Sequence, residues 1–253
     1  MFSCSSPLEQ FQILILIPFQ IFFLDLSLTN NFLIFFFAIG IFFSILFSLI
    51  TKSNFFLIVP NSAQNLIESL YILIYNLILD NSGSSSKPFL PYIFTFFVFI
   101  LISNVVGLIP YSFTLTSHLV VAFFLALTGF IAVTIISIKL HGIQFFSFFL
   151  PSGSSFYLAF LLIPIEIVSY FFRPISLSVR LFANMMAGHT LLKVIAGFSW
   201  TMLLSGGGLL IAHFLPLVIL TILMFLEFGV ALIQSYVFSI LSCIYLNDAL
   251  HLH

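Results

Sequence analysis

The sequence predicts an all-α integral membrane protein, and three observations carry that prediction. Of 253 residues, 62% are hydrophobic, 37 are Phe and only 5% are charged, which leaves too little polar surface for a water-soluble globule; the mean hydropathy of +1.31 agrees. The apolar runs are continuous over about 20 residues, where the strands of a membrane barrel would show segments of about ten with alternating polarity. The few charges are also concentrated, because both arginines fall in one otherwise apolar stretch, PIEIVSYFFRPISLSVRLFANMMAGHTLL at 164–192. A net charge of -1 offers no basic face, which excludes nucleic acid as a partner.

Taken in order, the whole of 1–253 reads as a single membrane domain, and 1–31 as an N-terminal interfacial segment. Its run FQILILIPFQIFFL (11–24) is short for a span and is broken by Pro18. The opening MFSCSSPLEQ shows neither the basic start of a secretory signal nor the Arg-rich amphipathic start of a transit peptide. The first spanning helix covers 32–51 and ends at Lys52. Over 60–80 the pattern changes: Asn61, Gln64, Asn65, Glu68 and Asn76 are mixed with Leu66, Ile67, Leu70, Leu77 and Ile78, as in an amphipathic helix lying in the membrane surface. NSGSSSK (81–87) is a flexible polar turn. Spans over 89–110 and 118–139 follow, and the short connection PYSFTLTS makes them antiparallel neighbours. HGIQFFSFFLPSGSS (141–155) reads as a loop dipping into the interface.

Two long apolar stretches remain, 156–198 and 207–247. As one straight helix each would reach about 60 Å, roughly twice the hydrocarbon thickness. Either each is one strongly tilted or bent helix, or each breaks into shorter spans at Pro164, Pro174, Gly197 or Pro216. The alignment of Glu166, Arg173 and Arg180, each seven residues after the last, favours continuity, since a break would scatter them over unrelated faces. Asn184 lies a turn beyond Arg180, with His189 further along. The second stretch repeats the theme with Glu227 and Gln234 on one face. Ala183, Ala187 and Gly188 interleave with the polar line; small residues admit another backbone or side chain, so the line faces protein or water rather than lipid.

Orientation follows from Lys52, Lys87 and Lys139, which fall on one side if the surface helix does not cross; by the positive-inside rule that side is the matrix or cytoplasm. In the resulting hairpin Glu166 and Asp248 lie toward the inside, Arg180 and Gln234 near the middle, and His189 and Glu227 toward the outside. A charge placed in lipid costs about 2.5–3.5 kcal/mol on insertion scales, so such groups face a bundle interior or an aqueous cavity. Arginine does not lose its proton in proteins. Arg180 is therefore a fixed positive barrier between two titratable clusters, an arrangement suited to two half-channels that must not connect, with a mobile carboxylate carrying protons past the arginine. Arg173 admits two readings, a transport role or snorkelling to the interface, and His189 two others, a proton role or a hydrogen bond between helices. Asn184 and Gln234 serve equally as channel lining or as polar glue. His118, His141, His213, His251 and His253 show no metal-ligand spacing and are assigned to interfaces. Cys4 and Cys243 are expected to be reduced and unpaired. Gly206–Gly208 follows no strand and so forms no phosphate loop.

SLSVRLFANMMAGHTLLK (176–193) resembles the a subunit of the F-type rotary ATP synthases, mitochondrial members in particular. SPLEQF near the start, IPYSFTLTSH at 109–118, LIPIEIVSYFFRPISLSVRLFANMMAGH at 162–189, LEFGVALIQSYVF at 226–238 and the closing CIYLNDALHLH extend the likeness over most of the chain. The resemblance implies a near-horizontal C-terminal hairpin packed against the ring of c subunits, which resolves the choice between tilt and break in favour of tilt. It implies that Arg180 faces the ring as the separator of the half-channels. Glu227 and His189 would line the half-channel from the intermembrane space, Glu166 and Asp248 the matrix half-channel, and Asn184 and Gln234 would sit beside the arginine. It further implies the mitochondrial inner membrane, with the N-terminus toward the intermembrane space and the C-terminus toward the matrix. As partners it implies the c-ring, the other stator and membrane-motor subunits, membrane lipid and pairing of whole complexes into a dimer. No cofactor, metal or nucleotide site is expected of the chain itself. A stand-alone transporter is the other functional class, but it calls for inverted repeats or a midplane pocket of broken helices. A purely structural scaffold, with Arg180 only pinning two helices, is a third.

Overall fold

The computed structural model describes residues 9–21, 24–25, 27–51, 62–109, 112–142, 145, 156–206 and 212–250. Lys52, Cys4, His251, His253, most of the 141–155 loop and Gly207–Gly208 lie outside the described residues.

Helices dominate, as an all-α membrane protein requires. They are α1 (Asn30–Thr51), α2 (Ser62–Ser82), α3 (Leu90–Gly107), α4 (Leu119–His141), α5 (Phe156–Ser205) and α6 (Phe214–Leu250). Four segments among the described residues are long and apolar enough to cross a membrane: Ser84–Gly107, Leu119–His141, Phe160–Ser205 and Phe214–Leu250. Residues 9–29 form a strap of a 3-10 turn (Glu9–Phe11) and short strands, β1 (Ile15–Ile17), β2 (Gln20–Ile21), β3 (Leu24–Asp25) and β4 (Leu28–Thr29). β1 pairs antiparallel with β4, and β2 with β3. No strand pattern is visible in the sequence here because β1 is apolar on both faces and the other strands are two residues long, and Ile13–Ile17 and Phe19 remain exposed.

The helix bounds depart from the ranges read from sequence by a few residues at most ends, and two departures are larger. A 3-10 helix over Ser84–Phe89 precedes α3 and carries Lys87 and Pro88 in the stretch read as a flexible turn. The last helix begins at Phe214 rather than at 207, while α5 runs on to Ser205 and is closed by Gly206 at φ +68°. A left-handed residue ends a helix cleanly, and glycine takes that conformation without a Cβ penalty.

α5 is one continuous helix through Pro164 and Pro174. Proline inside a membrane helix removes one backbone donor, and neighbouring groups make good the loss. Continuity keeps Glu166, Arg173 and Arg180 in register.

Packing places α6 at the centre. One buried cluster joins Ile74, Leu77 and Ile78 of α2, Ile93, Phe97, Val98 and Ile102 of α3, Ala38 of α1, and Cys243 and Leu246 of α6. A second joins Ile100 of α3, Ala122 and Ala126 of α4, Leu177 and Leu181 of α5, and Phe238 of α6. The Ser82 hydroxyl donates to the Cys243 carbonyl at 2.8 Å, and the Tyr92 hydroxyl to the Gly129 carbonyl at 3.0 Å. Cys243 is a buried free thiol. α2 thus buries one side against α3 and α6 while Leu66, Tyr71, Ile72 and Leu73 stay exposed.

Candidate functional site: the polar seam of the α5–α6 hairpin

Three polar contacts step along the two long helices, and their order shows that the helices are antiparallel. Arg173 pairs with Asp248, Asn184 with Gln234, and His189 with Glu227. As the residue number rises along α5 it falls along α6, so one seam carries all three contacts.

At one end the Arg173 guanidinium donates to Asp248 Oδ2 at 3.1 Å. It also lies over two rings, 5.5 Å from the Tyr170 centroid and 5.1 Å from that of Tyr245. These contacts are compatible with both readings of Arg173, since a partnered guanidinium can still lie at the interface. Arg173 is fixed by a carboxylate and two aromatic faces, an arrangement that the planar guanidinium suits better than an ammonium. Asp248, expected to act with Glu166, has this arginine as its ion-pair partner, while Glu166 sits half-buried two turns earlier on α5. Nearby His141 Nε2 lies 3.1 Å from the Ala249 carbonyl, which ties the end of α4 to the end of α6.

At the other end, His189 Nδ1 stands 3.5 Å from Glu227 Oε1, and the two side chains are only 8% and 5% exposed. Gly188 makes that approach possible, since a Cβ there would fall 2.6 Å from Glu227 Oε1. The expectation that a small residue admits another side chain is met at this position. Glu227 Oε1 and Oε2, His189 Nε2 and Gln234 Nε2 are buried without a protein hydrogen-bond partner. Polar groups buried in this way carry a desolvation cost that nothing else in the chain offsets.

Between the ends, Asn184 Nδ2 donates to Gln234 Oε1 at 3.0 Å. Channel lining and polar glue both call for contact across the hairpin, and the contact is present. Arg180 is different, because it is exposed. It shares an outward face with Ser176, Ala183, Asn184 and Ala187, also exposed, while Leu177, Ser178, Leu181 and Met185 turn inward. The arginine is thus accessible from outside the chain, beside the small side chains of Ser176, Ala183 and Ala187.

Sequence reasoning missed several residues here. Asn104 of α3 is fully buried and donates from Nδ2 to the Ala231 carbonyl at 3.4 Å, one turn from Glu227. The connection before α4 is buried as well, with Thr114, Leu115, Thr116 and Ser117 each under 5% exposed. His118 stacks on Phe113 with centroids 4.8 Å apart, and burial holds its imidazole below the ordinary histidine range. A single asparagine in an apolar helix was the available signal for Asn104; the threonines resembled an ordinary turn. Among the described residues no group of three His, Cys, Asp or Glu side chains could hold a metal.

Comparison with known proteins points in one direction. A family model described as the ATP synthase A chain matches residues 32–247. The chain is 54% identical over 250 residues to ATP synthase subunit a of Pylaiella littoralis, covering 98% of this chain and 99% of that protein. It is 48% identical over 254 residues to the same subunit of Chondrus crispus, covering 100% of this chain and 98% of the other. With that of Marchantia polymorpha it shares 46% over 252 residues, at 98% and 99% coverage.

Proposed function

Because the chain belongs to the ATP synthase subunit a family, we propose that it is the stator of a proton-driven membrane motor, working through two offset aqueous half-channels in the mitochondrial inner membrane. The observation that carries the proposal is the placement of Arg180: exposed on the outer face of α5, between the buried His189–Glu227 pair and the Arg173–Asp248 pair. A permanent cation in that position attracts a carboxylate on a partner and blocks a proton from passing straight between the two ends.

In this reading the partner is a ring of c subunits, each with one carboxylate. A proton from the intermembrane space reaches the ring by way of His189 and Glu227 and neutralises a carboxylate as it leaves Arg180. The neutral carboxyl can move through lipid at modest cost, where the anion cannot. After the ring turns, the proton leaves through the matrix half-channel toward Glu166 and Asp248, and the restored anion is drawn back to Arg180. Asn184 and Gln234, bonded to each other, line the seam beside the arginine. Arg173 holds Asp248 in place at the matrix mouth. A potential of 100 mV contributes about 2.3 kcal/mol per charge, so several protons must act in succession for each ATP. Lys87 and Lys139 support the orientation, with the N-terminus toward the intermembrane space and the C-terminus toward the matrix. Other stator subunits, lipid and a second complex are the remaining partners of the reading.

The test is Arg180→Ala in assembled membranes, with ATP synthesis and passive proton leak measured together, and Arg180→Lys alongside. Synthesis should be abolished by the alanine variant with the complex still assembled, and the lysine should fail to replace the arginine. Survival of synthesis in either variant would reduce Arg180 to a structural role.

A further inference from the structure

The N-terminal strap touches the His189–Glu227 pair. Phe11 is only 8% exposed, in a segment whose neighbours Ile13–Ile17 are all more than half exposed. Its ring lies 6.4 Å from the His189 ring, centroid to centroid, inclined by 60°. The strap is anchored independently of that contact. Asn30, the first residue of α1, accepts from the Leu14 backbone N–H through Oδ1 at 3.2 Å and donates through Nδ2 to the Gln12 carbonyl at 3.1 Å. The Asn30 N–H donates to the Leu14 carbonyl at 3.1 Å, and Gln12 N–H to the Glu9 carbonyl at 3.2 Å. One side chain therefore fixes Gln12 and Leu14, just after Phe11, to the start of the first helix.

We propose that Phe11, held in place by Asn30, is a positioning residue for proton loading: it is the wall against which the His189 ring keeps Nδ1 turned toward Glu227. This inference rests on the reading of His189 and Glu227 as the outer proton path. The physical need is clear from the site. An imidazole can swing about two side-chain bonds, and the polar contact of Nδ1 is a long 3.5 Å approach to Glu227 Oε1, too weak to fix the ring alone. Nε2 has no protein partner to hold it. An aromatic ring packed on the imidazole supplies the missing restraint without adding a competing hydrogen-bonding group. The strap thereby becomes part of the motor's input path and not only a membrane-surface appendage.

The test uses the whole synthase in its membranes with Phe11→Ala, Phe11→Leu and Asn30→Ala, together with Glu227→Gln as a control on the underlying reading. Two readouts are taken: ATP synthesis at a fixed driving force, and the rate at which diethylpyrocarbonate modifies His189, followed by mass of the peptide that contains it. Loss of the covering ring should raise the modification rate by about tenfold or more in Phe11→Ala, and the freed imidazole should lower synthesis by about fivefold or more. Asn30→Ala should change both readouts in the same direction, and Phe11→Leu, which restores apolar bulk, should recover most of both. If Phe11→Ala does not assemble, Asn30→Ala decides, since it leaves the seam itself untouched. Wild-type labelling and synthesis in Asn30→Ala and Phe11→Ala, with Glu227→Gln inactive, overturn the role of the strap alone. Raised labelling with undiminished synthesis also overturns it, because the ring would then need no wall. Full synthesis in Glu227→Gln overturns the reading of the outer path on which the inference stands.

Discussion

Replacing Gly188 by alanine isolates the His189–Glu227 geometry from the stability of the fold. The new Cβ would lie 2.6 Å from Glu227 Oε1, 3.0 Å from Cδ and 3.3 Å from Cγ, so relief to ordinary contact at about 3.4 Å moves the carboxylate by about 0.8 Å. The folding cost of that move is small, because the colliding atoms end a side chain that can rotate, and alanine gains up to about 1 kcal/mol over glycine in a helix. The functional cost is larger. If the pair passes protons as proposed, a displacement near 1 Å can lower the rate by about 100-fold, so coupled ATP synthesis should fall by about ten- to a hundredfold while assembly stays normal. The assay is synthesis and ATP-driven proton pumping in membranes carrying Gly188→Ala, with the amount of intact complex measured on the same samples. Wild-type rates in Gly188→Ala would refute the argument, since the close approach would then be incidental to function.

Gly107→Ala should behave in the opposite way, costing stability first. Its Cβ would meet Thr114 Cγ2 at 2.8 Å and Thr114 Cβ at 3.3 Å, and Thr114 is fully buried and β-branched, so overpacking by about 1–3 kcal/mol is expected. Thr114→Ser deletes the colliding methyl and should restore the yield of assembled complex; equal yields in wild type and Gly107→Ala would rule the clash out. Arg173→Lys keeps the charge beside Asp248 but loses the planar stacking on Tyr170 and Tyr245, and should lower the thermal midpoint of the solubilised complex by an amount equivalent to about 1 kcal/mol. An unchanged midpoint would mean that the rings contribute nothing.

What could be read from the sequence follows from how far apart the partners lie along the chain. The apolar helices were legible because hydropathy is local; the helical spacing of Glu166, Arg173 and Arg180 favoured a continuous α5 but left a break at the prolines open, and only the family resemblance decided between them. The small-residue reading of Gly188 held since a missing side chain is visible in sequence. The pairing of Arg173 with Asp248 spans 75 residues, and nothing local marks an arginine that finds a carboxylate. Phe11 was illegible for a statistical reason: among 37 phenylalanines, only tertiary contact singles out the one lying on His189. The strands of the strap were hidden because β1 is apolar on both faces and the other three are only two residues long, so the alternation that marks a half-buried strand is missing.

The exposed arginine bears most directly on what the chain is for. An isolated membrane protein gains nothing from turning a fixed cation outward, where insertion scales assign it about 2.5–3.5 kcal/mol of cost in lipid. Six other polar groups of the seam face a side chain across the hairpin: Gln234 is met by Asn184, Asp248 by Arg173, and Glu227 approaches His189 at 3.5 Å. Arg180 is exposed instead, beside Ala183 and Ala187, whose short side chains let another surface come within reach of the guanidinium. Length adds a second constraint. The apolar segment Phe160–Ser205 is 46 residues long, or about 70 Å as a helix, and fits within about 30 Å of hydrocarbon only if it leans steeply. A steeply leaning helix offers its flank, not its end, to a neighbour in the membrane, so a carboxylate moving in the membrane plane would pass one end of the seam, then the arginine, then the other end. A stand-alone channel would need its cation turned toward a pore between its own helices. A stator of the kind proposed would need it on the flank, within reach of a partner that moves past.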